Sequence, residues 1–284
     1  MEAANAKPDE AAQTRVITAA TGFELPSARD LWNSRDLIYL LMRRDVAIRY
    51  KQTVIGAAWA ILQPLLFALV FSLFFGRYAR IPSGADVPYP VFALSGMVMW
   101  LYISTSLQRI SESTVGNSQL ITKVYFPRAI IPLSASAQPL VDFVVAFSIV
   151  IPVTLLYGVT PSPRILLLPA LLLLAWLVVI GAGLWFSALN VRYRDITFLV
   201  PFMILVGLFM APIVYPFDLV PSAFQPIYAL NPAVGILETY RWLLFTGASG
   251  PGLLLLSPVI AAPVLLVSGA WYFQRAERDF ADVI

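Results

Sequence analysis

The residue types that most often carry catalysis or bind metals are missing from this chain. The sequence contains neither cysteine nor histidine, which excludes thiolate nucleophiles, imidazole bases, disulfides and the usual ligands of zinc, haem and iron–sulfur clusters. No glycine is followed by lysine, so the glycine-rich loop that holds ATP phosphates in many ATPases is also absent. We therefore expect no cofactor or metal on this chain, and whatever energy it uses, it does not bind ATP through such a loop.

The composition is that of a membrane protein. Of 284 residues, 59% are apolar and 12% are charged, whereas soluble domains usually carry about 25% charged residues. The mean hydropathy is +0.79. A soluble protein of this composition would expose large apolar patches to water, so the sequence excludes a cytosolic enzyme, a nucleic-acid-binding domain and a disordered chain. The net charge of +3 is too small to indicate a polyanionic partner.

Six uncharged windows are long enough to cross a bilayer, for which a helix needs about 20 apolar residues. A seventh window, 219–237, contains three prolines, and proline breaks helices because it lacks a backbone N–H donor. We expect that stretch to be broken or re-entrant rather than spanning. The sequence thus predicts an all-α membrane protein with six spans, which lie within 52–76, 87–108, 143–163, 165–191, 196–217 and 253–274.

The distribution of lysine and arginine predicts which side each loop faces. Twelve basic residues flank the spans on one side and four on the other, and cytoplasmic loops carry the excess. Both termini are therefore expected in the cytoplasm, which also favours six spans over seven. The twelve are Arg29, Arg35, Arg43, Arg44, Arg49, Lys51, Lys123, Arg128, Arg192, Arg194, Arg275 and Arg278, and the four are Arg77, Arg80, Arg164 and Arg241.

The amino-terminal part precedes the spans and divides in two. Its first region lacks the basic start and apolar centre of a signal peptide. Its second region reads as an amphipathic helix in the membrane interface, with Leu37, Leu41 and Ile48 on the face that enters lipid. That helix is either a plain anchor or also a contact for a cytoplasmic partner or an anionic headgroup. The expected divisions are a disordered cytoplasmic tail, the interface helix and the six-span domain, at 1–26, 27–51 and 52–284.

The segment after the second span is too polar to cross the membrane and too apolar to be a free loop. We expect a short cytoplasmic helix around 112–126 whose exposed apolar side chains offer contacts to another protein. The alternative is that these side chains fold back onto the membrane domain. They belong to Leu120, Ile121, Tyr125 and Phe126.

Four stretches of the chain share their order and spacing with a known family. They are 49–59 (RYKQTVIGAAW), 117–128 (NSQLITKVYFPR) followed by Pro132 and Asp142, 230–232 (LNP) with Arg241, and 273–282 (FQRAERDFAD). Together they resemble the permease subunits of bacterial polysaccharide-exporting ABC transporters, which move lipid-linked O-antigen, teichoic acid or capsule chains. The resemblance covers about residues 30–284.

That resemblance implies a division of labour between chains. The permease would pair with a second copy of itself and with two ATP-binding cassette subunits, which hold ATP and magnesium. It would carry a lipid-linked glycan across the bacterial inner (plasma) membrane and would have no enzymatic activity of its own. An exporter of small amphiphiles, such as drugs or simple lipids, has the same architecture and is the alternative within this class.

The resemblance also implies roles for individual segments. The proline-rich outer segment would hold short re-entrant gate helices before the last span. The segment around 112–126 would be a coupling helix seated in the ATPase. Its contacts would be Asn117, Leu120, Ile121, Lys123, Tyr125 and Phe126.

Two functions of other classes fit the residues less well. A membrane enzyme acting on lipid-linked sugars would need paired carboxylates or an acidic metal-binding motif. However, Asp142 and Asp195 stand alone and no Asp-x-Asp sequence occurs. A stand-alone channel would need a ring of like charges or a filter sequence, and the chain shows no obvious example of either.

Two sets of residues within the spans are candidates for structural or transport roles. An ion pair between Arg109 and Asp142 would brace the second and third spans near the inner boundary, and a role in gating or headgroup contact is the alternative. An aromatic stripe on the first span either lines a path for a glycan, by stacking against sugar C–H groups, or fills helix contacts. The candidate lining residues are Trp59, Gln63, Phe67, Phe71, Phe74 and Tyr78.

Overall fold

The computed structural model describes residues 32–51, 56, 58–84, 87–123, 126–278 and 280. This part of the chain consists of α-helices with short 3₁₀ and π segments and contains no β-strand, so the all-α prediction is confirmed for it. The expected tail at 1–26 lies outside it. The helices are α1 (Arg35–Lys51), α2 (Ala58–Phe71), α3 (Tyr89–Gly116), α4 (Ser118–Lys123), α5 (Ile130–Ala135), α6 (Ala137–Leu156), α7 (Leu168–Arg192), α8 (Ile196–Met210), α9 (Gln225–Leu230), α10 (Pro232–Leu244) and α11 (Leu256–Glu277).

Five helical stretches in the described part of the chain are long and apolar enough to cross a membrane. They coincide with the first, second, third, fourth and sixth predicted spans. The fifth predicted span forms α8, which has 15 residues and extends about 22 Å, less than the roughly 30 Å of a typical hydrocarbon core. The five stretches are Ala58–Tyr78, Tyr89–Gly116, Ile130–Leu156, Pro163–Arg192 and Gly252–Glu277.

Helix α3 lies at the centre of the bundle. Helices α2, α5, α6, α7, α8 and α10 all pack against it, and side chains such as Met99 and Tyr102 lie in the main apolar core. The half of α3 that begins at Tyr89 is therefore enclosed by protein; we call this the outer half, and the opposite one the inner half, after the orientation that the basic residues predict. Its inner half differs, because Arg109, Val115 and Gly116 are exposed there.

Helices α7 and α11 pack closely against each other. A Cβ added at Gly181 would lie 2.6 Å from the carbonyl carbon of Leu265, and one added at Gly269 would lie 2.3 Å from the carbonyl oxygen of Gly181. Small residues allow membrane helices to approach this closely, which strengthens their van der Waals packing. The last helix is thereby held against the centre of the chain.

The third span begins earlier than the sequence predicts. Helices α5 and α6 form one apolar stretch, Ile130–Leu156, whereas the uncharged window begins only after Asp142. This carboxylate lies inside the stretch and is contacted by Arg49, Tyr50 and Gln138. A charge that ends a hydropathy window can therefore lie within a span when side chains from another part of the chain neutralise it.

The proline-rich outer segment is broken into short pieces, as its prolines predict. It forms a 3₁₀ turn at Phe217–Leu219, then α9 and then α10. Asn231 caps α10, because its Oδ1 accepts a hydrogen bond from the N–H of Ala233 at 3.0 Å, and Pro232 occupies the first helical position. Most of α10 is buried, with α3, α7 and α11 packed against it.

Candidate functional site

Asn117 connects the central helix to the candidate coupling segment. Its backbone N–H donates to the carbonyl oxygen of Ser113 at 3.1 Å, and its Nδ2 donates to the same oxygen at 2.8 Å. The N–H of Leu120 donates to the Asn117 carbonyl at 3.0 Å, which starts α4. In addition, Nη2 of Arg44 donates to Oδ1 of Asn117 at 3.0 Å. One residue thus connects α1, α3 and α4.

The apolar side chains of the coupling segment are partly buried within this chain. Ile121 and Phe126 are only 5% and 8% exposed, and Leu120 is half-buried. The expectation of exposed apolar contacts is therefore wrong for Ile121 and Phe126, and Tyr125 lies outside the described residues. The reason is that α1 packs on this segment, a contact between distant parts of the chain. The resulting inner cluster contains Leu41, Ile121, Phe126, Ile130 and Ile131.

Helix α1 has a different environment from the one its pattern predicts. Leu41 is buried in the inner cluster, and Leu37 and Ile38 pack against it. Leu40 and Ile48 remain exposed. The apolar face of α1 therefore rests partly on α4, α5 and α6 rather than on lipid alone, which gives the helix a structural role in positioning the coupling segment.

The side of the coupling segment that does not pack into the inner cluster is exposed. Lys123, which the sequence analysis selected, is exposed there. Two further exposed residues, Gln119 and Thr122, were missed, although their spacing of three places them on one face of α4. We call the exposed set the coupling face; it comprises Val115, Gly116, Gln119, Thr122 and Lys123.

The carboxyl end of the last helix is attached to the segment that follows α4. The backbone N–H of Arg128 donates to Oε1 of Glu277 at 2.9 Å, and the Arg128 guanidinium donates to the Glu277 carbonyl oxygen. The same guanidinium lies 5.9 Å from the ring centre of Phe280. Two of the stretches that carry the family resemblance therefore meet in space. Sequence reasoning could not find this contact, because 149 residues separate its partners.

Apolar packing reinforces this attachment. Phe273 and Phe280 are each 1% exposed, and their rings meet edge to face with centroids 5.3 Å apart. They pack with Ala129 and with residues near the inner end of α7. Helices α7 and α11 are thus coupled to the chain immediately beside the coupling segment.

Asp142 is the polar centre where α1 meets α6. Its Oδ2 lies 3.3 Å from Nη2 of Arg49 and accepts a hydrogen bond from Nε2 of Gln138 at 2.8 Å, while the Tyr50 hydroxyl donates to Oδ1. Burial, together with this hydrogen bond to Asp142, raises the pKa of Tyr50 above its usual value. In the described part of the chain, no group of three acidic residues is placed to hold a metal ion.

The ion pair expected between Arg109 and Asp142 is replaced in the structure. Asp142 pairs with Arg49, and Arg109 has no acidic partner within 4.0 Å among the described residues. The physical reason is that α1 runs beside the start of α6 and brings its own guanidinium to the carboxylate. Asp142 thus braces α1 against α6.

The aromatic stripe of the first span is divided between two environments. Phe71 is 8% exposed and belongs to the main core, so it is not available to line a path on the surface of this chain. Phe67 is 38%, Phe74 56% and Tyr78 70% exposed. A π-helix at Ser72–Tyr78 continues α2 and changes the angle between successive side chains. Of the other candidates, Trp59 is exposed and Gln63 is half-buried.

At the outer end, Arg241 anchors the loop that follows α8. Its guanidinium donates to the carbonyl oxygens of Pro212 and Ile213 and lies 2.9 Å from Oε1 of Glu238. It also lies 3.7 Å from the ring centre of Phe92 on α3. The side chain is 2% exposed. Arg241 thus holds the outer loop and α10 against the central helix.

Arg164 makes a second, weaker attachment at the same end. Its Nη1 donates to the carbonyl oxygen of Trp242 at 3.2 Å, and its guanidinium lies 4.8 Å from the Trp242 ring centre. The backbone N–H of Ser162 donates to the carbonyl oxygen of Leu244 at 2.9 Å. The start of the fourth span is therefore tied to α10.

Comparisons with known proteins agree over nearly the whole chain. The sequence profile of the ABC-2 type transporter family matches residues 36–245. The chain is 27% identical over 251 residues to the O-antigen export system permease protein RfbA of Klebsiella pneumoniae, which covers 88% of this chain and 95% of that protein. It is 27% identical over 259 residues to the RfbA protein of Myxococcus xanthus, covering 90% and 98% of the two chains.

A relative with a different named cargo is also similar. The polysialic acid transport protein KpsM of Escherichia coli is 22% identical over 265 residues, covering 92% of this chain and 98% of that protein. The region aligned with these relatives therefore spans the inner cluster, Asp142, Arg241 and the aromatic stripe.

Proposed function

This chain belongs to the ABC-2 type transporter family, and from that premise we propose that it is the transmembrane subunit of an exporter that moves a lipid-linked polysaccharide across the bacterial inner membrane. The observation that carries this proposal is similarity over most of the chain to permeases named for O-antigen and polysialic acid. Those names favour a polysaccharide over the small amphiphile that was the alternative. The permease itself would have no catalytic role.

We propose six spans with both termini in the cytoplasm. The excess of basic residues on one side supports this arrangement. Helix α8 would be the fifth of the six spans, in addition to the five stretches of spanning length. Its shortness would be accommodated by local thinning of the bilayer or by the residues that follow Met210. An odd number of spans would instead place the basic carboxyl-terminal end outside.

The energy source is proposed to be a pair of ATP-binding cassette subunits bound to two copies of this chain. The absence of a Gly-Lys dipeptide from the sequence supports placing ATP and magnesium on those partners. The coupling face supports this proposal, because Gln119, Thr122 and Lys123 are exposed on a helix that is itself well anchored. A rigid exposed element is suited to receive motion from a partner.

Motion applied at the coupling face would have three routes into the bundle. Asn117 leads to α3, the inner cluster leads to α1 and α5, and Arg128 leads to α11 through Glu277. Each route consists of direct contacts. Movement of α4 would therefore act on the interface helix α1 and on the second, third and last spans together.

At the outer end of the bundle, we propose that α9 and α10 form re-entrant gate helices. We also propose that the exposed part of the aromatic stripe lines the conduit. The exposure of Phe67, Phe74 and Tyr78 supports the lining, because each ring offers a shallow stacking surface along which a polymer can slide.

Replacing Phe74 and Tyr78 with alanine should slow export of long chains at normal permease abundance. In contrast, Phe71→Ala should lower abundance, since truncating a buried Phe costs about 3–5 kcal/mol.

A gene deletion in the source bacterium tests the export function. We expect surface polysaccharide to disappear and lipid-linked polysaccharide to accumulate inside, with both restored by the wild-type gene. A catalytically inactive partner ATPase should give the same result as the deletion. Unchanged surface polysaccharide combined with greater sensitivity to small amphiphilic drugs would overturn the proposal in favour of the alternative.

A further inference from the structure

Arg109 stands out among the charged residues of the spanning helices. It lies on α3, the most enclosed helix, yet its side chain is exposed. It makes no hydrogen bond or ion pair with any described residue. A cation at the edge of a membrane is costly unless it meets water or an anion, so the partner of this guanidinium lies outside the described residues.

The nearby carboxylates have other partners. The acidic groups within electrostatic range of Arg109 are those of Asp45, Glu112 and Asp142. Asp45 lies 2.9 Å from the guanidinium of Arg44, and Glu112 accepts a hydrogen bond from Gln108 at 3.1 Å. Asp142 forms an ion pair with Arg49 and accepts hydrogen bonds from Tyr50 and Gln138. The donors of Arg109 are therefore left unused at this site.

The depth of Arg109 indicates which anion it meets. In the orientation proposed above, helix α3 begins at Tyr89 near the outer boundary. The twenty residues of helix from there to Arg109 extend about 30 Å, which equals the thickness of a typical hydrocarbon core. This places the Arg109 side chain at the level of the inner headgroups. Phosphate is the principal anion at that level, and the planar guanidinium binds phosphate through two parallel hydrogen bonds.

We propose that Arg109 is the centre of a binding site for the phosphate group of a membrane lipid. The phosphate belongs either to a bilayer phospholipid or to the lipid carrier of the exported glycan, and the chemistry of the contact is the same for both. The site does not depend on the proposed export function, because lipid binding can be measured without transport.

The first test uses purified full-length permease in nanodiscs of phosphatidylcholine, with and without phosphatidylglycerol. Binding of phosphatidylglycerol is measured by native mass spectrometry, and the wild type is compared with Arg109→Gln and Arg109→Lys. We expect Arg109→Gln to weaken binding roughly tenfold and Arg109→Lys to retain part of it. Arg194→Gln is the matched control, because Arg194 is also exposed on the side with the basic excess, and it should bind as the wild type does.

A second arm distinguishes the two lipid sources. Permease is purified from cells that make the glycan, and the lipids that remain bound are identified by mass. If the wild type shows no preference for phosphatidylglycerol but retains a lipid-linked glycan that Arg109→Gln loses, the carrier is the source. If Arg109→Gln binds phosphatidylglycerol and retains lipid-linked glycan as well as the Arg194→Gln control does, the proposal is wrong.

Discussion

The two ends of the bundle are stabilised in different ways. At the inner end, charged side chains pair with other side chains on separate helices, as Arg49 does with Asp142 and Arg44 with Asn117. At the outer end, Arg241 binds mainly backbone carbonyl oxygens and an aromatic ring. The inner contacts are partly exposed, whereas Arg241 is buried. Partly hydrated contacts exchange more readily than buried ones, so we expect the inner end to be adjustable and the outer end to move as one body.

The largest effect is expected at the outer end. Arg241→Ala leaves Glu238 and two backbone carbonyls without their donor, and removing one partner of a buried ion pair costs about 3–5 kcal/mol. The measurement is permease abundance and the thermal unfolding midpoint in nanodiscs. Arg164→Ala is the matched control, since Arg164 is partly exposed and loses only one carbonyl contact and one contact with the Trp242 ring, which should cost about 1–2 kcal/mol. Equal effects of the two changes would remove the basis for treating Arg241 as the main anchor.

The next effect concerns Asp142. Asp142→Asn removes the charge that Arg49 pairs with, and hydrogen bonds to charged groups are worth about 1.5–3 kcal/mol. We expect thermal stability and assembly to fall together, while Tyr50→Phe, which removes one donor, should have the smaller effect. A stable, normally assembled Asp142→Asn permease that cannot export would show that the carboxylate acts in transport rather than in structure.

Glu277 tests whether the last helix takes part in coupling. Glu277→Ala leaves the Arg128 N–H without its acceptor, at a cost of about 1–3 kcal/mol, while Glu277→Gln keeps an oxygen in place. In proteoliposomes that also contain the partner ATPase, we expect Glu277→Ala to reduce glycan export per ATP hydrolysed. The Gln variant should restore it. If the ratio is unchanged at normal abundance, the contact serves folding alone.

The smallest effect on stability is expected at the coupling face. Thr122→Glu and Lys123→Glu alter exposed residues, and such changes usually shift stability by less than about 0.5 kcal/mol. We expect normal abundance but poor recovery of the ATPase in pull-down. Ile121→Glu, one residue away but buried, should lower abundance instead. Normal ATPase recovery by both exposed variants would place the partner elsewhere.

Much of the architecture could be predicted from local pattern. Five of the six windows appear as helices of spanning length, and the prolines of the outer segment break it. The candidate site was predicted less completely. Lys123 is exposed as a partner contact requires, but Ile121 and Phe126 are buried. An apolar side chain is equally suited to lipid, to a partner protein or to its own chain, so its type does not reveal which one it meets.

The sequence by itself predicted an all-α membrane protein without the Gly-Lys loop that holds ATP phosphates in many ATPases, and it located most of the stretches that can cross a bilayer. These properties depend on composition and on runs of neighbouring residues, because the cost of placing charge in hydrocarbon is local. Only the tertiary structure decided that Asp142 pairs with Arg49, that Glu277 holds the segment at Arg128, and that Arg109 is left without a partner among the described residues. Such pairings depend on which helices come to lie side by side, and contacts between distant parts of a chain leave no periodic signal in a single sequence.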